Sequence, residues 1–266
     1  MKRFAAILLA AAMAFSLCAC GGNTYGVKAI QTLEEQEYSI AFRTDDPKSE
    51  YIIAAIEELC AAGRVDELSI KWFGKKQIEL PSKANALEGM EIPEDMYFRI
   101  GVDKNSFPFS YVMNGGYWGY DIELASEVAD RLGWRLEIQA IEKENVYVEL
   151  SSGNIDCAWG GIAVDQKEFD EGRLAQVGPY IHNDIVIAAR DSSAVWNELR
   201  LSGRTLCMPS TVEAMEALKS DEKLSRRLGQ ITRLAGGTIE CFDYLYSGKC
   251  DVLLTDSTAL DYYNGR

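Results

Sequence analysis

The sequence predicts an α/β fold that is built on a mainly parallel β-sheet. Apolar residues alternate with polar or small ones over residues 98–102, as in a half-buried strand. One apolar face at helical spacing follows between Asp121, a good N-cap, and Gly133, which suits the residue after a helix. Strand alternation resumes over residues 136–140. A strand, a helix and a strand in this order predict parallel strands, which bind ligands at their carboxyl ends.

The segment before this unit predicts one more strand and two helices. Residues 38–42 alternate as a strand. Asp46 precedes a proline and opens a helix whose apolar face covers residues 52–60 and ends at Gly63. A short second helix follows. Residues 75–96 hold two of the chain's six prolines, many charges and little periodicity, so we interpret them as a linker.

Strands and helices continue to alternate beyond the strand–helix–strand unit. Strands are predicted at residues 155–158, 185–189, 205–208, 231–234 and 252–254. Helices are predicted at residues 145–151, 209–217, 238–246 and 257–263. The apolar run at residues 185–189 is typical of a buried strand, which we expect to cross between two parts of the protein.

The composition is that of a globular protein and argues against nucleic-acid binding. The chain has 266 residues, of which 47% are hydrophobic, and this length is enough for one large core or two small ones. Its formal net charge is −14, whereas nucleic-acid binding needs basic residues to neutralise phosphates. The acidic balance favours cationic solutes mildly, and solubility alone also accounts for it.

The N-terminus has the features of a bacterial secretion signal. Lys2 and Arg3 precede an apolar run over residues 4–17, which is short for a transmembrane helix. The run ends in Leu-Cys-Ala-Cys-Gly, which resembles a lipobox. We therefore expect residues 1–19 to be removed and Cys20 to carry the lipid, with residues 20–24 as a tether. The alternative is an ordinary cleaved signal that leaves Cys20 free.

The other cysteines and the histidine carry little chemistry. The five further cysteines lack the spacing of a metal site. Cys241 and Cys250 either form a disulfide or are small buried hydrophobes. His182 is the chain's only histidine, which leaves almost no material for a Ser-His-Asp triad or a multi-histidine metal site. We therefore expect neither a metal, a cofactor nor catalytic residues.

Several short motifs resemble family-3 extracellular solute-binding proteins, the amino-acid-capturing components of ABC importers. The motifs are Ile100-Gly-Val-Asp, Phe107-Pro-Phe-Ser, Gly119-Tyr-Asp-Ile-Glu-Leu-Ala, Leu150-Ser-Ser-Gly-Asn-Ile-Asp and Gly178-Pro-Tyr. The resemblance implies a two-lobed fold of the periplasmic-binding-protein type II, with a mixed, mainly parallel sheet in each lobe. It also implies that a small solute binds between lobes that close by hinge motion.

The order of the pieces differs from that family. The run Ile-Ala-Phe-Arg at residues 40–43, with its helices and Lys-Trp-Phe-Gly at residues 71–74, resembles the family's C-terminal end but comes first here. Each piece is present once, so we predict a circular permutation in which the linker joins the former ends. The alternatives are a gene fragment of a tandem array, or a domain-swapped dimer whose chains complete each other.

This prediction assigns each part of the chain to a lobe. After the signal and tether, we expect residues 25–36 in the second lobe, 37–74 in the first lobe, 75–96 as linker, 97–184 as the main part of the first lobe, and 185–266 as the main part of the second lobe with its hinge strand.

The resemblance also implies a set of ligand contacts. Ser210 and Thr211 match a hydroxyl pair at a helix N-terminus, which suits a carboxylate, although Ser210 alternatively only caps the helix. Asp256 matches the acid that pairs with the ligand ammonium, and an N-cap role is equally open. Backbone contacts to the ligand are expected from Gly160, Gly161 and Ala163.

Glu168 and Ser106 depart from the family pattern. Glu168 stands where an arginine usually clamps the ligand carboxylate, so Arg173 or Lys143 would have to replace that cation. Ser106 replaces a stacking aromatic, and its neighbour Phe107 is the substitute. Acidic residues could together make the cleft suitable for a cationic or polyamine-like solute: Asp103, Asp165, Glu168 and Asp256.

The expected function is capture of an amino acid or related amine for an ABC permease. The protein would be a monomer outside the cytoplasm, either anchored by its lipid to the outer face of the membrane or periplasmic. One alternative is a sensor or interaction lipoprotein on the same fold. Another is an enzyme like the dehydratases that resemble this family, with Glu168 and Lys143 as its acid/base pair.

Overall fold

The strands form two five-stranded sheets and one three-stranded sheet within residues 26–265, which the computed structural model of the protein describes. The strands are β1 (Val27–Glu34), β2 (Glu37–Arg43), β3 (Tyr97–Val102), β4 (Asn105–Ser106), β5 (Ser110–Met113), β6 (Gly116–Trp118), β7 (Arg135–Ala140), β8 (Cys157–Ala158), β9 (Leu174–His182), β10 (Ile185–Arg190), β11 (Leu206–Pro209), β12 (Ile231–Leu234) and β13 (Val252–Asp256). The predicted signal, tether and lipidated Cys20 lie outside these residues.

The helices pack against the sheets. They are α1 (Ser49–Ala61), α2 (Arg64–Phe73), α3 (Tyr120–Leu132), α4 (Val146–Ser151), α5 (Gln166–Asp170), α6 (Val212–Ser220), α7 (Glu222–Arg227), α8 (Gly237–Tyr246) and α9 (Ser257–Asn264), with short 3₁₀ helices at Lys143–Asn145 and Glu198–Leu201. Among the helices described, none combines the length and apolar character that crossing a membrane requires.

The first lobe is the part of the chain built on the sheet β7-β3-β8-β2-β9. β3 runs parallel to β7 and β8, with Phe98 opposite Leu136, so the predicted strand–helix–strand unit is confirmed. Helix α3 buries the predicted apolar face against this sheet and ends at Gly133 in the left-handed conformation (φ 69°). The fold class predicted from the sequence is therefore correct.

The start of α3 differs from the prediction. Gly119 precedes the helix, and Asp121 lies within its first turn, fully buried, without capping it. The backbone of Gly119 has φ 138°, and a Cβ atom built there would lie 2.0 Å from the Phe109 carbonyl oxygen. Only glycine fits this close approach. The side chain of Asp121, which does not cap the helix, points into the lobe.

The second lobe is built on the sheet β1-β10-β13-β11-β12. β11 runs parallel to β12 and β13, whereas β10 is antiparallel to both β1 and β13. The cysteines described are free thiols, and Cys241 and Cys250 are buried among apolar side chains rather than joined. Of the two roles considered for Cys241 and Cys250, the structure therefore shows that of buried hydrophobes.

The N-terminal segment supplies strands to both lobes. β2 lies between β8 and β9 in the first sheet, with Ala41 opposite Ala158 and Tyr38 opposite Ile181. β1 pairs with β10 at the edge of the second sheet, and the side-chain amide of Asn264 bonds both backbone groups of Val27 at 3.0 and 2.8 Å. The first and last elements described are therefore neighbours in space.

Residues 75–96 contain neither helix nor strand and run along the first lobe. The backbone N–H of Glu79 donates to the Tyr180 carbonyl at 2.8 Å, and the indole of Trp134 donates to the Pro93 carbonyl at 2.9 Å. Ile78 is buried in the lobe's core. These contacts hold the segment, which joins α2 to β3, against the first lobe.

Candidate ligand-binding site

A cavity of about 450 Å³ lies between the two lobes, at the carboxyl ends of their parallel strands. Asp103 follows β3, Gly161 follows β8, and Ser210 follows β11. A smaller inner pocket of about 30 Å³ adjoins it and ends at Tyr38 and Asp256. Both lobes therefore contribute to one site at the edge where such sheets bind ligands.

Carboxylates dominate the walls of this site. Those of the outer cavity are Glu34, Asp103, Glu142, Glu144, Glu213 and Glu216. Asp256 adds one in the inner pocket, which Asp103 and Glu213 also line. Among the described residues that line the two spaces, the cations are Lys104 and Lys143, and both are exposed at the rim. The site is thus strongly negative.

The structure brings most of the predicted site residues together. Those that line the outer cavity are Asp103, Lys143, Gly161, Ala163, Ser210 and Thr211. Those that line the inner pocket are Asp103, Ser106, Thr211 and Asp256. Gly160 stands just behind the wall, where its carbonyl accepts hydrogen bonds from the Asp103 N–H at 3.1 Å and the Ser110 hydroxyl at 2.8 Å.

Three predicted residues lie elsewhere. Asp165 lines neither space and caps α5, where it accepts a hydrogen bond from the Lys167 N–H at 3.0 Å. Phe107 packs in an aromatic cluster, with ring centroids 5.0 Å from Tyr111 and 4.7 Å from Tyr262, and is buried. Glu168 lies on α5 and accepts a hydrogen bond from Arg173 at 2.9 Å. Neither Phe107 nor Glu168 is among the residues that line the cavity. Arg173, one of the two cations considered as a replacement for the family's arginine, is therefore paired with Glu168.

Two of the alternative cap roles are resolved by the structure. Thr211, rather than Ser210, caps α6, because its hydroxyl accepts a hydrogen bond from the Ala214 N–H at 3.2 Å. Asp256 occupies the N-cap position of α9 without capping it. Its Oδ1 instead accepts a hydrogen bond from the Asn183 amide at 2.8 Å, and the carboxylate faces the inner pocket.

Sequence reasoning missed Glu213, which lines both spaces. The sequence does contain a signal for this residue. Glu213 lies in the first turn of α6, two residues after the predicted site residue Thr211, and so at the same end of the helix. Glu34 was missed for a different reason. It belongs to β1, and nothing in its local pattern indicates that this strand reaches the cleft.

The two connections between the lobes are hydrogen bonded to cleft acids. These connections, residues 35–36 and 183–184, form the hinge, and the Asn183 N–H donates to the Gln36 carbonyl at 2.8 Å. The Asn183 side chain, which is fully buried, donates to Asp256 and to the Tyr38 hydroxyl at 2.7 Å. The Gln36 side chain donates to Glu213 at 2.9 Å. Movement of the hinge therefore moves the cleft carboxylates.

Asp121 holds the backbone of the cleft wall. Its carboxylate accepts hydrogen bonds from the Gly161 N–H at 3.1 Å, the Trp159 indole at 3.1 Å and the Tyr180 hydroxyl at 2.7 Å. Burial raises the pKa of Asp121 to about 7, although these three donors favour the ionised form. The residue predicted as a helix cap thus positions Gly161.

Burial and like charge raise the pKa values of two cleft acids, Asp103 and Asp256. Burial raises the pKa of Asp103 to about 6, with the charges of Glu213 and Glu142 adding to the shift and the Asn105 N–H opposing it. Burial raises the pKa of Asp256 to about 7, again with help from Glu213. Negative charge in the site is therefore only partly balanced by protein groups.

These pKa shifts predict how stability depends on pH. An unfolded chain releases the aspartate proton at about pH 3.9, so between about pH 4 and 7 the folded protein binds more protons than the unfolded one. The contribution of these carboxyls to stability therefore falls as the pH rises through that window. The free energy of unfolding in urea should fall from pH 4.5 to pH 7.5, and it should fall less in Asp256→Asn than in the natural protein. The two losses should differ by on the order of 2 kcal/mol. The same loss in both proteins would contradict this account.

The two α/β lobes, the hinge and the cleft at the strand ends define a two-lobed binding protein of the periplasmic-binding-protein type II. Residues 98–233 match the family of bacterial extracellular solute-binding proteins, family 3. The match covers about half of the chain, and the chain belongs to this family. The family is one of binding proteins, in agreement with the expectation that the chain is not an enzyme. Its description also agrees with the expected place outside the cytoplasm.

Individual relatives are distant. The chain is 22% identical over 170 residues to the probable amino-acid-binding protein YxeM of Bacillus subtilis, covering 63% of this chain and 62% of that protein. It is 22% identical to cyclohexadienyl dehydratase of Pseudomonas aeruginosa, over 62% of this chain and 61% of that one. Among solved structures, a polar amino acid ABC uptake transporter substrate-binding protein from Streptococcus thermophilus has 27% identity and a TM-score of 0.45, covering 60% of this chain and 61% of that one. The chain thus spans about three fifths of the length of these relatives.

Proposed function

We propose that the protein captures an amino acid or a related amine in the cleft between its lobes and delivers it to an ABC permease. The observation that carries the proposal is the convergence of Asp103, Glu213 and Asp256 from both lobes on one cavity at the strand ends. Such carboxylates pair with an ammonium group, which amino acids and amines share. The hinge contacts of Asp256 and Glu213 give a bound solute a means to favour closure.

A thermal-shift panel of the twenty amino acids, their decarboxylated amines and uncharged sugars tests this proposal. We expect at least one amine-containing solute at millimolar concentration to raise the melting temperature by several degrees, because binding to the folded state stabilises it. Asp256→Asn should lose that shift while melting cooperatively on its own. A panel in which no amine-containing compound shifts the melting temperature would overturn the proposal.

We further propose that the chain is a circular permutant of its family and works as a monomer. The lobes would comprise residues 25–36 and 185–266 on one side, and residues 37–74 and 97–184 on the other, with 75–96 joining the former ends. The position of β2 inside its own chain's first sheet supports this reading over a domain-swapped dimer. A gene with the two segments exchanged, starting at residue 97, should yield the same fold by circular dichroism. A reordered chain that cannot fold would count against permutation.

The lipid anchor is proposed from the sequence at Cys20, which is followed by a short Gly-Gly-Asn tether. Cys20→Ala is expected to shift the protein from the detergent phase to the aqueous phase by at least tenfold in a detergent partition assay, because the acyl chains carry the membrane affinity. Cys18→Ala is the matched control and should stay in the detergent phase. Equal partitioning of Cys20→Ala and the natural protein would exclude this anchor.

A further inference from the structure

Few cations line the cleft to pair with a ligand carboxylate among the residues that the structure describes. Its walls carry six carboxylates in the outer cavity against two lysines, and the lysines are exposed whereas Asp103 and Glu213 are half-buried. Arg173 is engaged by Glu168 and Glu171. Within the described residues that line either space, the charge facing a bound solute is therefore overwhelmingly negative.

The start of α6, which would otherwise suit an anion, already carries a carboxylate of the protein. Thr211 takes the Ala214 N–H, and the carboxylate of Glu213 stands in the first turn. A helix N-terminus attracts one negative charge of this kind, and here the protein supplies it. An incoming carboxylate at this place would lie beside Glu213 without a guanidinium to hold it.

One buried hydroxyl group in the inner pocket supports the binding of a ligand there. The Thr255 side chain is 2% exposed, lines this pocket, and its Oγ1 lacks a hydrogen-bond partner in the structure. A buried hydroxyl without a partner is costly. The pocket's volume of about 30 Å³ suits one group the size of water or ammonium. An ammonium group there would donate to Thr255 while it pairs with Asp256.

We propose that the cleft selects a linear diamine or short polyamine over the amino acid of the same carbon skeleton. One ammonium occupies the inner pocket between Asp103 and Asp256, and the second lies in the outer cavity near Glu142 and Glu213. Apolar residues also line the outer cavity and suit a methylene chain: Ile162, Ala163, Val212 and Leu234. This inference rests on the proposed function, since it names the solute class for the same cleft.

The matched pair cadaverine and lysine tests the inference, because the two molecules differ only in the α-carboxylate. Isothermal titration at neutral pH and about 0.15 M salt should give cadaverine an affinity at least tenfold higher than that of lysine. Putrescine and ornithine form a second pair with the same expectation. An affinity for lysine equal to or above that for cadaverine overturns the inference and leaves the proposed function standing. Binding of none of these four compounds also overturns the inference, and the thermal-shift panel of all amino acids and their amines then decides the proposed function separately.

Variants locate the preference in the cleft. Glu213→Gln should weaken cadaverine at least tenfold and weaken lysine less, because the substitution removes an attraction for the amine and a repulsion of the carboxylate together. Glu222→Gln is the matched control, since Glu222 is exposed on α7, outside the cleft, and pairs with Arg226 at 2.8 Å. A cadaverine-to-lysine ratio that Glu213→Gln leaves unchanged, in a variant with a normal melting curve, contradicts the assignment.

Discussion

Phe42→Ala is expected to lower the free energy of unfolding by about 4 kcal/mol, the usual cost of emptying a buried aromatic site. Phe42 is 1% exposed in β2 and shares one core with Phe98 and Ile100 of β3. Because β2 lies inside the first sheet, the cavity would open in the centre of the lobe rather than at an edge. Denaturant unfolding followed by circular dichroism measures the change.

Phe98→Ala is the matched comparison, since Phe98 is equally buried in the same core but belongs to a segment more than fifty residues later in the chain. Both substitutions should destabilise the same cooperative transition by similar amounts. A small effect of Phe42→Ala, below about 1 kcal/mol, beside a large effect of Phe98→Ala would mean that β2 is not an integral part of the lobe.

Asn183→Ala is expected to lower the free energy of unfolding by about 3 kcal/mol, because it leaves three polar partners unsatisfied. The Asn183 amide donates to the Tyr38 hydroxyl and to Asp256, and its oxygen accepts from the Thr258 hydroxyl at 2.6 Å. Asn183 is fully buried in the hinge, so water does not replace these bonds in the folded protein. Chemical denaturation measures the loss, and titration with the solute should show weaker binding as well.

Asn154→Ala separates this effect from the general cost of losing an asparagine. The Asn154 amide also donates to a carboxylate, that of Glu149 at 2.8 Å, but the residue is exposed. Exposed side-chain substitutions usually change stability by less than about 0.5 kcal/mol. Equal losses in the two variants would show that the hinge network contributes no special stability.

Much of the fold follows from local patterns in the sequence. The alternation at residues 98–102, the apolar face of α3 and the glycine at its end are each decided by neighbouring residues, and all three were predicted. The start of α3 was not. Asp121 has the side chain of an N-cap, but burial against Trp159 and Tyr180 gives its carboxylate a different set of donors. Tertiary contacts there override the local preference.

The site was predicted in part for the same reason. Asp103 and Ser210 directly follow strands and Asp256 ends one, so topology alone places them at the edge where ligands bind. Glu34 lines the cleft, and Gln36 donates to Glu213 there, only because the chain crosses from the second lobe to the first between β1 and β2. The family resemblance predicts Phe107 and Glu168 in the site, but local packing places both elsewhere. Phe107 lies in an aromatic cluster, and Glu168 pairs with Arg173.

Amide hydrogen exchange tests most directly whether the N-terminal strand β2 belongs to the same sheet as β3. If residues 38–42 and residues 98–102 belong to one sheet of one molecule, their backbone amides should be protected to a similar degree and exchange through the same global opening. Near-random-coil exchange at residues 38–42 beside strong protection at residues 98–102 would contradict the two-lobed clamp and the cleft that depends on it.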